Sequence, residues 1–123
     1  MSQSPEYFKK EFKKRIYDLV INVLTKLDEN KQNSPTFYRV SDQLTRSITS
    51  VIANYVEGQS GSSKKDFENY MNNSLKSANE SKLWVSILKD MKKINAKDCD
   101  VVLKELDEIS KVLATILIKS RKR

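Results

Sequence analysis

The chain has 123 residues, 38% hydrophobic and 32% charged, enough for one hydrophobic core and too few for two. Two glycines and two prolines are too few for the turns of a sandwich or barrel of short strands. Histidine is absent, which removes Ser-His and Cys-His nucleophile pairs, imidazole metal ligands and the usual proton shuttle, while 23 Lys+Arg against 16 Asp+Glu leave +7. That excess suits acidic partners such as nucleic acid without naming one. Cys99 is the only cysteine, so no internal disulfide forms. No run approaches the roughly 18 apolar residues of a membrane span, and residues 1–14 lack the apolar stretch of a signal peptide. The expected location is cytoplasmic, with no membrane partner.

Four helices are expected, at about residues 5–29, 35–57, 63–93 and 97–120. In the first, Phe8, Phe12, Ile16, Leu19, Val23 and Leu27 recur at spacings of three and four, the period of one helix face. A polar break over 28–33 leads to Ser34-Pro35, an N-cap followed by proline at the first helical position. The second helix carries Phe37, Val40, Leu44, Ile48, Val51 and Tyr55, and Gly58 is expected to stop it by entering the left-handed conformation. Ser63 and Asp66 resemble a capping box for the third, whose stripe is Phe67, Met71, Ser74, Ala78, Ser81, Val85 and Leu88. Small residues in mid-seam let a neighbouring helix approach closely. The fourth carries Val102, Leu106, Ile109, Leu113 and Ile116, then a basic tail over 119–123. Long helices of one period with short connections predict a single all-α domain over 1–123, an antiparallel up-down-up-down four-helix bundle. Val20, Ile21 and Leu24, with the apolar run from Val112 to Ile118, exceed what one core uses. Self-association is therefore expected.

The densest motif runs from Arg46 to Gly58. It sets Ser50, Asn54 and Glu57 on one helix face, and the third helix adds Ser74, Ser77 and Glu80. Facing polar groups inside a bundle must satisfy one another, so Arg46, Ser50, Asn54, Glu57, Ser77 and Glu80 are read as a structural polar network. The alternative is that Glu57 and Glu80 form a catalytic or metal-binding pair. Di-iron bundles use Glu-x-x-His motifs, which a chain without histidine lacks, so no metal, cofactor or catalytic residue is expected. The Gly58 to Lys65 loop misses the spacing of a phosphate-binding loop and no strand precedes it.

Arg46, Ser50, Asn54, Glu57 and Gly58, followed by Ser77 and Glu80, resemble the pattern of the four-helix bundle proteins encoded in intervening sequences of 23S rRNA genes. Ile52 stands where that pattern usually has proline, and Tyr55-Val56 replaces Ile-Ala. The resemblance implies a ring-like homopentamer and no known catalysis. A related branch, the accessory variability proteins of diversity-generating retroelements, implies nucleic acid and a reverse transcriptase as partners.

Topology makes the charge informative. In such a bundle the start of helix 1, the turn between helices 2 and 3 and the end of helix 4 share one end. Residues 1–18, 57–68 and 111–123 carry net charges of +2, −1 and +5, nearly all of the +7. Lys9, Lys10, Lys13, Lys14, Arg15, Lys64, Lys65, Lys119, Arg121, Lys122 and Arg123 are therefore the candidate contacts to RNA or DNA, through phosphate neutralisation and with little sequence preference. The expected function is a non-enzymatic, oligomeric nucleic-acid-binding accessory protein. A protein-interaction scaffold with incidental charge is the alternative, and an enzyme ranks last.

Overall fold

Each helix begins where a short polar side chain caps it. Ser4 Oγ accepts from the Tyr7 amide (3.1 Å), Ser34 Oγ from Phe37 (3.2 Å), Ser63 Oγ from Asp66 (3.0 Å) and Asn95 Oδ1 from Lys97 (2.8 Å). The computed structural model describes residues 4–123, so residues 1–3 at the head of the basic N-terminal stretch lie outside the described residues. Four helices follow: α1 (Pro5–Glu29), α2 (Pro35–Gln59), α3 (Lys64–Asp90) and α4 (Ala96–Arg121). They form the expected antiparallel up-down-up-down bundle, with no strand among the described residues. Among the described residues no helix is long and apolar enough to cross a membrane.

The predicted stripes meet in the core. Ile16, Leu44, Ile48, Val51, Met71, Leu106, Ile109 and Leu113 are completely enclosed. The stripes thin at the basic end, where Phe8 is 40% exposed and Phe67 and Ile116 are half-buried. Part of the apolar surplus is core after all. Val20 and Leu117 are buried, and Val112 and Leu24 lean on the core from its margin. Ile118 (52% exposed) and Ile21 (45% exposed) are left on the surface.

Three boundaries differ from expectation. Gly58 does not stop α2: the helix continues to Gln59, and no glycine has a positive φ. Its role is to lack a side chain. A Cβ there would lie 2.5 Å from Met71 Cε and 3.0 Å from Tyr70 Cβ, so glycine lets α2 and α3 close on each other. The third helix ends at Asp90, and the left-handed residue in the following turn is Lys92 (φ 56°). The segment 119–123 is not a tail, because α4 is helical through Arg121 and the Lys122 amide donates to the Ile118 and Ser120 carbonyls.

Glycine inside a helix ordinarily costs about 1 kcal/mol against alanine. Here a Cβ would have to displace the end of the fully buried Met71 side chain and press on Tyr70 Cβ. Gly58→Ala is therefore expected to destabilise, overpacking at about 1–3 kcal/mol outweighing the propensity gain. A melting temperature lowered by a few degrees in thermal denaturation is the expected reading, and a raised one would overturn the account.

Packing is uneven around the bundle. Helix α2 runs close along α3, and α3 close along α4. Helix α1 lies less tightly on α2, and its backbone seldom comes near α4.

Candidate nucleic-acid interface

The α2–α3 seam is a ladder of small polar groups. Ser74 Oγ donates to the Val51 carbonyl (2.7 Å) and Ser81 Oγ to the Ser77 carbonyl (2.8 Å), while the Ser47 and Ser81 hydroxyl oxygens lie 2.8 Å apart. Ser77 Oγ donates to Ser50 Oγ (3.0 Å), and Asn54 Nδ2 donates to both Ser50 Oγ (2.8 Å) and the Ser50 carbonyl (2.9 Å). Nearly every hydroxyl in the seam therefore has a partner one helix away or one turn back, which holds the two helices in register. Of the expected set, Ser50, Asn54 and Ser77 belong to this network, and Ser47, Ser74 and Ser81 complete it.

The charged members do not belong. The Glu57 carboxylate is exposed and makes no hydrogen bond or ion pair among the described residues. Glu80 is also exposed and accepts only from Trp84 Nε1 on its own helix (2.9 Å). Arg46 pairs locally with Asp42 (3.2 Å). A helix presents one narrow strip to its neighbour, and these long side chains fall beside it. No group of three or more His, Cys, Asp or Glu side chains is placed to hold a metal ion among the described residues. Cys99, far along α4 from the basic end, is buried, and burial pushes its thiol pKa up.

At the other end the structure brings the three basic stretches together. Lys64 Nζ donates to the Arg123 carbonyl (2.7 Å), and Ser120 Oγ donates to Glu68 (2.6 Å), tying the start of α3 to the end of α4. Lys10, Lys13, Lys65, Lys119, Arg121, Lys122 and Arg123 are exposed and in no ion pair among the described residues. Lys9 has a loose partner in Glu6 (3.7 Å) and Lys14 a close one in Asp18 (2.7 Å).

Arg15 is not available for phosphate. Its Nε and Nη2 donate to the two oxygens of Glu105 (2.8 and 2.6 Å), and Nη2 also meets Glu108. This fork clasps α1 to α4 where their backbones stand apart. The Arg15 hydrogen bonds hold the Glu105 carboxyl below its ordinary value of 4.5, overcoming the opposite push of partial burial. A carboxylate whose folded pKa is depressed contributes stability above its unfolded value and loses it as pH falls through the folded one. Glu105→Gln is therefore expected to cost about 1 kcal/mol at neutral pH. Its melting temperature should converge with the parent's as pH falls below the ordinary carboxylate range and through the lowered folded-state value. A gap that persists unchanged in acid would show that the ion pair is not its source.

Between α1 and α4 at this end lies a groove of about 930 Å³. Phe8, Tyr55, Phe67, Val112 and Ile116 give it an apolar lining, and Lys9, Lys64, Lys111, Lys119 and Arg123 edge it, with no carboxylate among the lining residues. A second depression of about 400 Å³ continues along the seam, where Glu11 and Asp18 face Lys14 and Arg15. The acid-free stretch ends there. Sequence reasoning locates the cations but not the groove, whose opening depends on how far two helices 90 residues apart diverge.

A profile of 23S rRNA-intervening sequence proteins matches residues 9–115. Among solved structures, the bundle is similar to a protein of unknown function from the S23 ribosomal protein family of Bacteroides thetaiotaomicron. The TM-score is 0.78 and the identity 29%, covering 86% of this chain and 97% of that one. No curated protein matches. With four capped helices, a serine-laddered α2–α3 seam and a profile match over most of its length, the chain belongs to the 23S rRNA-intervening sequence protein family.

Proposed function

We propose that this protein is a non-enzymatic, oligomeric nucleic-acid-binding protein that engages RNA or DNA phosphates through the basic end of its bundle. The observation that carries the reading is the gathering at one end of the bundle of seven exposed, unpaired cations from α1, the start of α3 and the end of α4, two of which, Lys119 and Arg123, edge a groove with no carboxylate among its lining residues. Contacts of this kind act on the phosphate backbone, so binding is tolerant of sequence and steeply dependent on salt. In a ring of parallel copies, as the family resemblance implies for a homopentamer, such ends lie side by side and their fields add. Residues left unused within one chain support assembly. Tyr17 and Ile21 are exposed four residues apart on α1, and Arg46, Glu57 and Glu80 of the family motif make only local contacts or none. A reverse transcriptase is the protein partner implied by the retroelement branch.

The test is titration of a labelled RNA and a labelled DNA at several salt concentrations. A protein making 6–10 phosphate contacts loses about 10³–10⁵ in affinity between roughly 50 and 200 mM salt. Absence of binding to either at low salt would rule the reading out. The exposed Tyr17–Ile21 strip would then favour the second reading, a scaffold that docks protein partners.

A further inference from the structure

We infer that the α1–α4 groove is a nucleobase pocket: it takes an unstacked base of a single strand while the cations along its edge hold the flanking phosphates. The inference rests on the nucleic-acid reading and narrows it to single strands with accessible bases. Three observations point the same way.

The first is the combination of surfaces. At about 930 Å³ the groove lies in the upper part of the roughly 300–1,000 Å³ range of ligand sites, so it has room for a base with its sugar and part of a neighbour. Its length along α4, from Lys111 to Arg123, is about 18 Å at 1.5 Å per residue. An apolar floor edged by cations, with no carboxylate in the lining, suits a ligand with flat apolar faces on a polyanionic backbone. Phe8 stands at the mouth of the groove. It stacks on Phe12 (centroids 5.8 Å apart, planes at 16°) and remains 40% exposed, open to a further aromatic partner.

The second is Tyr55. This residue lines the groove at 1% exposure, yet its hydroxyl has no hydrogen-bond partner. Phe12 meets its ring edge-on at 5.2 Å and fixes its orientation. Burial pushes the phenol up to about 12, so it stays a neutral donor and acceptor at physiological pH. The hydroxyl is itself enclosed, so a ligand reaches it only as the groove lining gives way, and one that does so satisfies an orphaned polar group. A base edge carries both donors and acceptors and satisfies it. An acyl chain, the other occupant such walls would admit, leaves it orphaned.

The third is the backbone arrangement. Helices α1 and α4 stand apart above the Arg15 clasp, so a base enters between them without parting a packed seam.

The deciding experiment compares three labelled probes carrying equal numbers of phosphates at one low salt concentration: a single strand, the same strand with abasic sites along it, and a duplex. The intact strand is expected to bind about 5- to 160-fold more tightly than the abasic one, the range for stacking of one base, and more tightly than the duplex. Thr115 lines the groove and is exposed, so Thr115→Trp fills it while every core residue and every cation is kept. In this variant, and more weakly in Tyr55→Phe, the intact-to-abasic affinity ratio should fall toward one, circular dichroism verifying the fold. Equal binding of intact and abasic strands, a preference for duplex, or a ratio that neither substitution moves would overturn the inference and leave phosphate binding standing. So would tight binding of laurate together with a ratio of one, which would identify the occupant as an acyl anion. Failure of every probe to bind would remove the underlying nucleic-acid reading as well.

Discussion

Replacing Lys10, Lys13, Lys119, Arg121, Lys122 and Arg123 together by glutamine is expected to lower nucleic-acid affinity by on the order of a hundredfold or more near physiological salt. The slope of log affinity against log salt should also fall, by about 0.7–0.9 for every phosphate no longer neutralised. Helicity should be unchanged, because all six side chains are exposed and none is in an ion pair among the described residues. Arg15→Gln is the informative control. Its guanidinium is engaged by Glu105 and Glu108, so its removal should lower the melting temperature and leave the salt slope alone. A slope that responds to Arg15 and not to the six exposed cations would mean that the polyanion lies along the α1–α4 seam instead of across the basic end.

The second large effect separates core from surface on the apolar helices. Leu117→Lys is expected to unfold the chain, since Leu117 is 3% exposed and a buried unpaired ammonium costs several kcal/mol of a total of about 5–15. Ile21→Lys, at a position 45% exposed, should leave far-ultraviolet circular dichroism intact and shift light scattering from an assembly toward the 14.2 kDa monomer. A parent protein that already scatters as a monomer at tens of micromolar would refute self-association and leave the bundle itself unaffected.

The difference between these two aliphatic positions marks how far the sequence can be read. Periodicity carries the helices, the core stripes and the topology, because spacings of three and four record which side of a helix faces inward. It does not say how wide the buried strip is, so Val20 and Leu117 look like surplus and are core. Gly58 is ambiguous for a different reason. Glycine serves a left-handed turn and a close helix approach equally well, and only the position of Met71 distinguishes them. Arg15 counts as a free cation until Glu105, 90 residues away, comes against it. The polar network is legible in kind but not in membership. Short side chains at the seam bond across it, whereas spacing alone assigns the longer Glu57 and Glu80 inward and they lie outside. The groove and the unsatisfied Tyr55 hydroxyl leave no trace in the pattern, since both depend on the angle between helices.

The uneven packing has a thermodynamic counterpart. Helices α2, α3 and α4 share the close seams, while α1 is held by its apolar face on the core and by a solvent-accessible ion pair to α4. Free energies of local opening follow such differences in how closely elements pack, so the first cooperative unit to detach should be α1, below the energy of global unfolding. That unit carries Phe8, Lys9, Lys10 and Lys13. A polyanion gripping both α1 and α4 would therefore bind the docked state and not the detached one, and its binding energy would be shared between recognition and slowing the exchange of α1 amides. The protein would become more two-state in the presence of its ligand than in its absence.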